Sequence, residues 1–281
     1  MTTPPLVSTD WLSERLGDAN VRVLDGSYHL PTAKRDAAAE FASAHVPGAS
    51  YFDIEAVSDH SNDLPHMLPT AEAFAEAVGA MGIDNQTHVV VYDAYGLMSA
   101  ARVWWMFRIF GHDLVSVLDG GFPKWTRESR PTQSGTPSVA ARRFKANLRP
   151  DLVRTKADLE SNIATGAVQV VDARAAARFA GTAPEPRPGL RSGHIPGSKN
   201  LPFTQLLDPA SGTVLPPLEL ARQFASAGID STKPIVASCG SGVTACVIAL
   251  GLHVLGAKDV AIYDGSWSEW GLAGGPPIET G

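Results

Sequence analysis

Short apolar runs alternate with longer amphipathic stretches along the whole chain. Val21–Leu24, Val89–Tyr92 and Ser116–Leu118 are rich in β-branched residues and are bounded by Asp or Gly, which predicts buried parallel strands. Pro234-Ile235-Val236-Ala237 predicts a further buried strand. Thr9–Leu16, Thr70–Gly79 and Ala100–Phe110 predict helices in the first half, and Lys156–Ile163, Leu218–Ala227 and Ala245–Leu255 in the second. Thr70 stands where an N-cap belongs. Ala100–Phe110 is strongly apolar and carries Trp104 and Trp105, so it is expected to pack on the sheet. Strands alternating with helices predict an α/β fold in which helices cover both faces of a parallel sheet.

The pattern occurs twice. Four segments recur in the same order with an offset of 145–149 residues: Val21–Asp25 with Val168–Asp172, His45-Val46-Pro47-Gly48 with His194-Ile195-Pro196-Gly197, His88–Asp93 with Pro234–Cys239, and Val117–Phe122 with Ile262–Trp267. A repeat of this length is a whole domain rather than a solenoid unit. Glu128–Pro150 is rich in Ser, Thr, Pro and Arg and has no periodicity, which predicts a crossing segment. The expected division is an N-terminal domain over 1–130, a linker over 131–151 and a C-terminal domain over 152–281. Two further irregular stretches, Ser58–Pro69 and Gly181–Gly193, fall where loops gather at the carboxyl ends of parallel strands.

Composition narrows the function. With 281 residues the chain has room for two moderate domains, and 44% hydrophobic with 19% charged residues is ordinary for a globular protein. A net charge of -6 without a Lys/Arg block argues against a nucleic-acid surface. Two cysteines, Cys239 and Cys246, form no disulfide framework and no zinc set, so a reducing compartment, the cytoplasm, is expected. The N-terminus lacks the pattern of a secretory signal, and no apolar run is long enough to span a bilayer.

The stretch that carries chemistry is Cys239-Gly240-Ser241-Gly242-Val243-Thr244, between a predicted strand and a predicted helix. Glycines let the backbone approach closely, and consecutive N–H groups at a helix N-terminus bind negative charge. A cysteine there is expected to work as a thiolate. The repeat supplies a control, because the first half has Asp93 in place of Cys239 and lacks one of the glycines. One domain should therefore be catalytic and the other a support, with Asp93 structural. His45 and His194, each before Pro-Gly, are expected to serve turns, as are Asp119 and Asp264. Cys246 and the Trp-rich segments should be core.

The duplication, the His-x-Pro-Gly segments and the Cys239–Thr244 loop resemble the tandem rhodanese-type sulfurtransferases, most closely the branch that uses 3-mercaptopyruvate. The resemblance runs through almost the whole chain. It implies two tandem rhodanese-like domains and transfer of sulfur from 3-mercaptopyruvate through a Cys239 persulfide to a thiol, to thioredoxin or to cyanide, with pyruvate released. It implies no metal and no organic cofactor. It places Arg178 and Arg187 on the substrate carboxylate and ketone, and the N–H groups of Gly240, Gly242, Val243 and Thr244 on the persulfide. It pairs Cys239 with Ser241, with His66, and with an acidic residue at Glu55 or Asp53, where Glu55 replaces an expected Asp. Thiosulfate-using relatives carry basic residues after the cysteine, where this chain has Gly240 and Ser241. Thiosulfate:cyanide transfer on the same fold is the nearest alternative. A cysteine phosphatase and a non-catalytic sulfur-carrier module are the more distant ones.

Overall fold

A computed structural model describes residues 3–257 and 259–281. The chain forms two compact units. The first holds the residues up to Asp59, Leu68–Arg149 and Asp208–Thr213; the second holds His60–Met67, Pro150–Leu207 and Val214–Gly281.

The first unit is built from β1 (Leu6–Val7), α1 (Thr9–Ser13), β2 (Val21–Asp25), α2 (Ala37–Ser43), β3 (Ser50–Tyr51), α3 (Ala71–Ala80), β4 (His88–Tyr92), α4 (Ala100–Ile109), β5 (Val115–Leu118) and α5 (Gly121–Arg127). The second is built from β6 (Val153–Arg154), α6 (Lys156–Thr165), β7 (Gln169–Asp172), α7 (Ala176–Phe179), β8 (Lys199–Asn200), α8 (Pro217–Ser226), β9 (Ile235–Ser238), α9 (Ala245–Val254), β10 (Val260–Tyr263) and α10 (Ser266–Trp270). Each sheet has five strands, all parallel. The orders are β1-β5-β4-β2-β3 and β6-β10-β9-β7-β8, so the repeat read from sequence is also a repeat of topology.

Local chemistry explains the boundaries. The Thr70 hydroxyl accepts the Ala73 N–H and starts α3. Thr155 and Asp158 form a capping box on α6, and Gly166 ends that helix at φ +58°. The central strands are buried on both faces, as β5 and β9 are at every residue, which is why they read as unbroken apolar runs. The two-residue edge strands β1, β3, β6 and β8 are too short to leave a pattern in the sequence. Helix α4 packs on β4 and β5 of its own sheet. Eight of the ten residues of α9 are buried.

The stretch expected to be a linker has no regular element until Pro150, yet it is not a free tether. Arg142 donates its N–H to the Gly79 carbonyl, and Asn147 and Arg149 donate theirs to Phe110 and Ile109. Phe144 lies 5.9 Å from Phe74 and 6.2 Å from Phe107, ring centre to ring centre. Burying such a ring contributes roughly 2–3 kcal/mol, enough to hold the segment on the first unit. Among the described residues no helix is long and apolar enough to cross a membrane.

His45 and His194 are structural, as expected, but through their rings rather than through turn geometry alone. Each Nδ1 bonds a carbonyl, of Phe41 at 2.7 Å and of Phe179 at 2.8 Å, and each ring stacks on that same phenylalanine. The paired tryptophans behave alike too: Trp125 donates to the Pro131 carbonyl and Trp270 to that of Pro277.

Candidate active site

Strand β9 lies in the middle of the second sheet, with Ser238 opposite Asp172 at its carboxyl end. Cys239 follows at once, 2% exposed. The chain then turns through Gly242 at φ +74° and enters α9, whose N-cap Thr244 makes no side-chain cap bond. Among the described residues, the N–H groups of Gly240, Ser241, Val243, Thr244 and Ala245 bond no protein acceptor. These donors and the N-terminal end of α9 form a positive concavity beside the thiol.

Two N–H groups of the loop are used differently. Those of Cys239 and Gly242 donate to the Ser266 hydroxyl oxygen at 3.2 and 3.0 Å, and that hydroxyl donates to the Tyr263 carbonyl at 2.8 Å. Gly242 therefore shapes the turn, and its N–H is directed to Ser266. Ser266 is fully buried and holds φ +49°, a left-handed conformation that costs a residue with a Cβ about 1–2 kcal/mol. Trp267 and Ser268 add N–H bonds to the carbonyls of Cys239 and Gly240. Cys246 is buried, and its thiol donates to the Gly242 carbonyl.

The first unit shows the same turn with its anion built in. Asp93 is fully buried, and its carboxylate accepts the N–H groups of Tyr95, Met98 and Ala100 at 2.8, 2.7 and 2.8 Å. The position that matches Ser266 is Gly121, also left-handed at φ +53°. A Cβ there would come within 2.6 Å of the Asp93 carbonyl oxygen. With the carboxylate already bonding the loop, no hydroxyl is needed and none fits.

A chain of alternating charges runs through the second unit to the loop. Arg174 is buried, bonds Asp172 through Nε and Nη2, and lies 4.2 Å over the Trp267 ring. Its Nη1 bonds Glu185 at 2.8 Å. The other side of Glu185 holds Arg178, Nε at 3.2 Å and Nη2 at 2.5 Å. A Cβ on Gly240 would sit 3.1 Å from Arg178 Nη2, so this guanidinium borders the loop.

His66, which falls in the first sequence repeat, belongs to the second unit. It is 2% exposed with φ +61°, and Arg187 Nη2 lies 3.2 Å from its Nε2. A guanidinium can only donate, so Nε2 accepts and the ring carries its proton on Nδ1. The structure thus brings Arg187 and His66 together, and places Arg178 against Gly240. It does not join Ser241 to His66 by a hydrogen bond: Ser241 is buried at 5% exposure, and among the described residues its hydroxyl bonds no protein group. Val243 is buried and Thr244 partly exposed. Glu55 is exposed in the first unit, with its N–H donated to Asp53; the Asp53 carboxylate also takes the Ala56 N–H and so serves its own turn.

Three important side chains were not singled out from sequence. Ser266 was legible as the position where the repeats differ, serine against Gly121. Glu185 lies within the Arg178–Arg187 segment. Arg174 left no signal beyond following the strand-ending Asp172 by two residues.

The model of the rhodanese-like domain matches this chain twice, over residues 8–128 and 155–273. The human 3-mercaptopyruvate sulfurtransferase is 48% identical over 277 residues, spanning 96% of this chain and 93% of that protein. The bovine thiosulfate sulfurtransferase is 48% identical over 272 residues, 94% of this chain and 91% of that protein. The crystal structure of the Escherichia coli 3-mercaptopyruvate sulfotransferase SseA superposes with a TM-score of 0.86 at 41% identity, covering 95% of this chain and all of that one.

Proposed function

The chain belongs to the rhodanese-like family, and from that membership we propose that it is a 3-mercaptopyruvate sulfurtransferase working through Cys239. The observation that carries this reading is the position of Cys239 at the end of β9, under a turn of unspent N–H donors whose counterpart in the first unit encloses the Asp93 carboxylate. A turn that holds one anion in that way suits a thiolate or persulfide in the same place.

The Cys239 thiolate attacks the sulfur of 3-mercaptopyruvate. A sulfur–sulfur bond forms, the carbon–sulfur bond breaks, and its electron pair stays on carbon as the enolate of pyruvate. That enolate takes up the proton released from sulfur, relayed through Ser241 and His66 by way of the bound donor, since the two side chains share no hydrogen bond. The Cys239 persulfide remains as an anion against the N–H groups of Gly240, Ser241, Val243 and Thr244. An acceptor thiolate, from a small thiol or thioredoxin, or cyanide then takes the outer sulfur and regenerates the Cys239 thiolate, which completes a two-step covalent cycle. Arg187 binds the substrate carboxylate, with Arg178 beside it at the loop. The reaction draws on no metal or organic cofactor, and two thiols without a disulfide suit the cytoplasm.

The test is mass spectrometry of the intact protein after exposure to 3-mercaptopyruvate. One added sulfur atom is expected, lost on Cys239→Ser; no adduct at saturating donor refutes the mechanism. Use of thiosulfate is the second reading, favoured by the bovine thiosulfate sulfurtransferase as a relative at 48% identity. Neutral Gly240 and Ser241 speak against it, since a dianion calls for cations in the loop.

A further inference from the structure

The four charges that lead to the loop cancel. Asp172 and Glu185 are matched by Arg174 and Arg178, and three of the four are essentially buried, with side chains 1–2% exposed. Arg178 is the exception at 23%. Glu185 takes one N–H each from Nε and Nη2 of Arg178, so Arg178 borders the loop with its charge matched and three N–H groups left, one of them on the Nη2 beside Gly240. Arg187 is different: among the described residues it meets no carboxylate, and its hydrogen-bond partner is the imidazole of His66. Of the two arginines assigned to the donor, one guanidinium is therefore uncompensated, beside a loop without a cation of its own.

The geometry points to Glu185 as a specificity-determining residue that acts through Arg178. It cancels one of two guanidinium charges and matches the site to a monoanionic sulfur donor such as a 2-oxo acid thiol, against a dianion such as thiosulfate. This rests on the mercaptopyruvate reading above. The expected size follows from counting charges. Releasing the Arg178 charge adds one interaction for a monoanion and two for a dianion, so the donor ratio changes by a single charge–charge interaction. At about 6 Å and an effective dielectric constant of about 40, that is roughly a tenfold change.

The experiment compares kcat/KM for thiosulfate and for 3-mercaptopyruvate at two ionic strengths in three variants, each checked for folding by circular dichroism. Glu185→Gln keeps the shape and removes the charge. It is expected to raise the thiosulfate-to-mercaptopyruvate ratio about tenfold and to steepen the salt dependence of thiosulfate use. Glu185→Asp keeps the charge and should leave the ratio near that of the wild type even where both activities fall. Arg178→Gln leaves one net negative charge on the Asp172–Arg174–Glu185 set and should lower the ratio, which gives an independent reading if Glu185→Gln does not fold. An unchanged ratio in folded Glu185→Gln, or ratios moving the same way in Glu185→Gln and Arg178→Gln, overturns the assignment. A wild type that prefers thiosulfate refutes the donor reading instead, and leaves the two opposed shifts as the test of Glu185.

Discussion

Ser266 supports the cysteine loop from behind, and the cost of removing it can be worked out from its bonds. Its hydroxyl oxygen is the acceptor for the buried N–H groups of Cys239 and Gly242. A buried donor left without a partner costs about 1–3 kcal/mol. Ser266→Ala strands both donors and keeps a Cβ at φ +49°, so a loss of about 3 kcal/mol is expected. Ser266→Gly strands the same donors but relieves the left-handed strain, which lowers the expected loss to about 2 kcal/mol. Glycine should therefore be the more stable variant by about 1 kcal/mol, although Ser266 is the first residue of α10 and alanine is ordinarily the better helix former by a similar amount. Urea unfolding of the three proteins measures the order. Single-turnover persulfide formation on Cys239 measures the consequence for the loop, where both variants should slow by 10–100-fold because the remaining N–H donors lose their fixed aim. Ser266→Ala as stable as Ser266→Gly, or both variants forming persulfide at the wild-type rate, would refute the reasoning.

Arg187→Ala should lower kcat/KM for 3-mercaptopyruvate by about a hundredfold and that for thiosulfate much less, as the loss of a charge-assisted carboxylate contact predicts; equal losses in steady-state assays would mean that the carboxylate binds elsewhere. Asp93→Asn replaces a buried carboxylate that accepts three N–H bonds and should destabilise the first unit by about 3 kcal/mol in urea unfolding. Glu128 is opposed by its burial, yet hydrogen bonds from Lys124, Thr9 and Arg130 hold its carboxyl at about 2. Its folded value lies below the unfolded one, so its contribution is present above about pH 4.5 and is lost as pH falls toward 2. After solvent screening that contribution is at most about 1 kcal/mol, and Glu128→Gln should flatten the fall in thermal stability across that window.

What could be read in advance followed from periodicity and repetition. The central strands, the long helices and the cysteine turn all sit on residues whose types announce them, and the order of four matched segments implied two like sheets. The short edge strands and the helices α2, α5, α7 and α10 did not show, because two residues carry no alternation, Ala37–Ser43 is mostly alanine, and helices of four to seven residues are too short to establish a period. The segment over 131–151 looked like a tether because its anchors follow no period: the Phe144 ring, the Gln133–His45 backbone pair, and scattered bonds such as Arg142 to Asp84 and Arg149 to Asp113. At the site, arginines in a Pro-rich loop could be named from the resemblance. That one of them is charge-compensated by Glu185 while the other faces His66 is a matter of where side chains end, which spacing does not encode.

The two units can be treated as one device run in two ways. Both place a side chain at the end of a central parallel strand, both follow it with a turn of N–H donors, bonded to Asp93 in the first unit and left without a protein acceptor in the second, and both brace the turn from the segment after the last strand, by the Phe122 N–H on the Asp93 carbonyl and the Trp267 N–H on that of Cys239. In the first unit the acceptor is part of the chain, and Asp93 closes the turn on itself. In the second the anion comes and goes with the state of sulfur, so the turn cannot rely on it for support. A hydroxyl must then hold the loop in every state of the cycle, which is the physical reason for a strained serine at 266 where the first unit has Gly121. Support that does not depend on the bound charge is what allows the same N–H donors to take up the persulfide, release it, and be ready for the next.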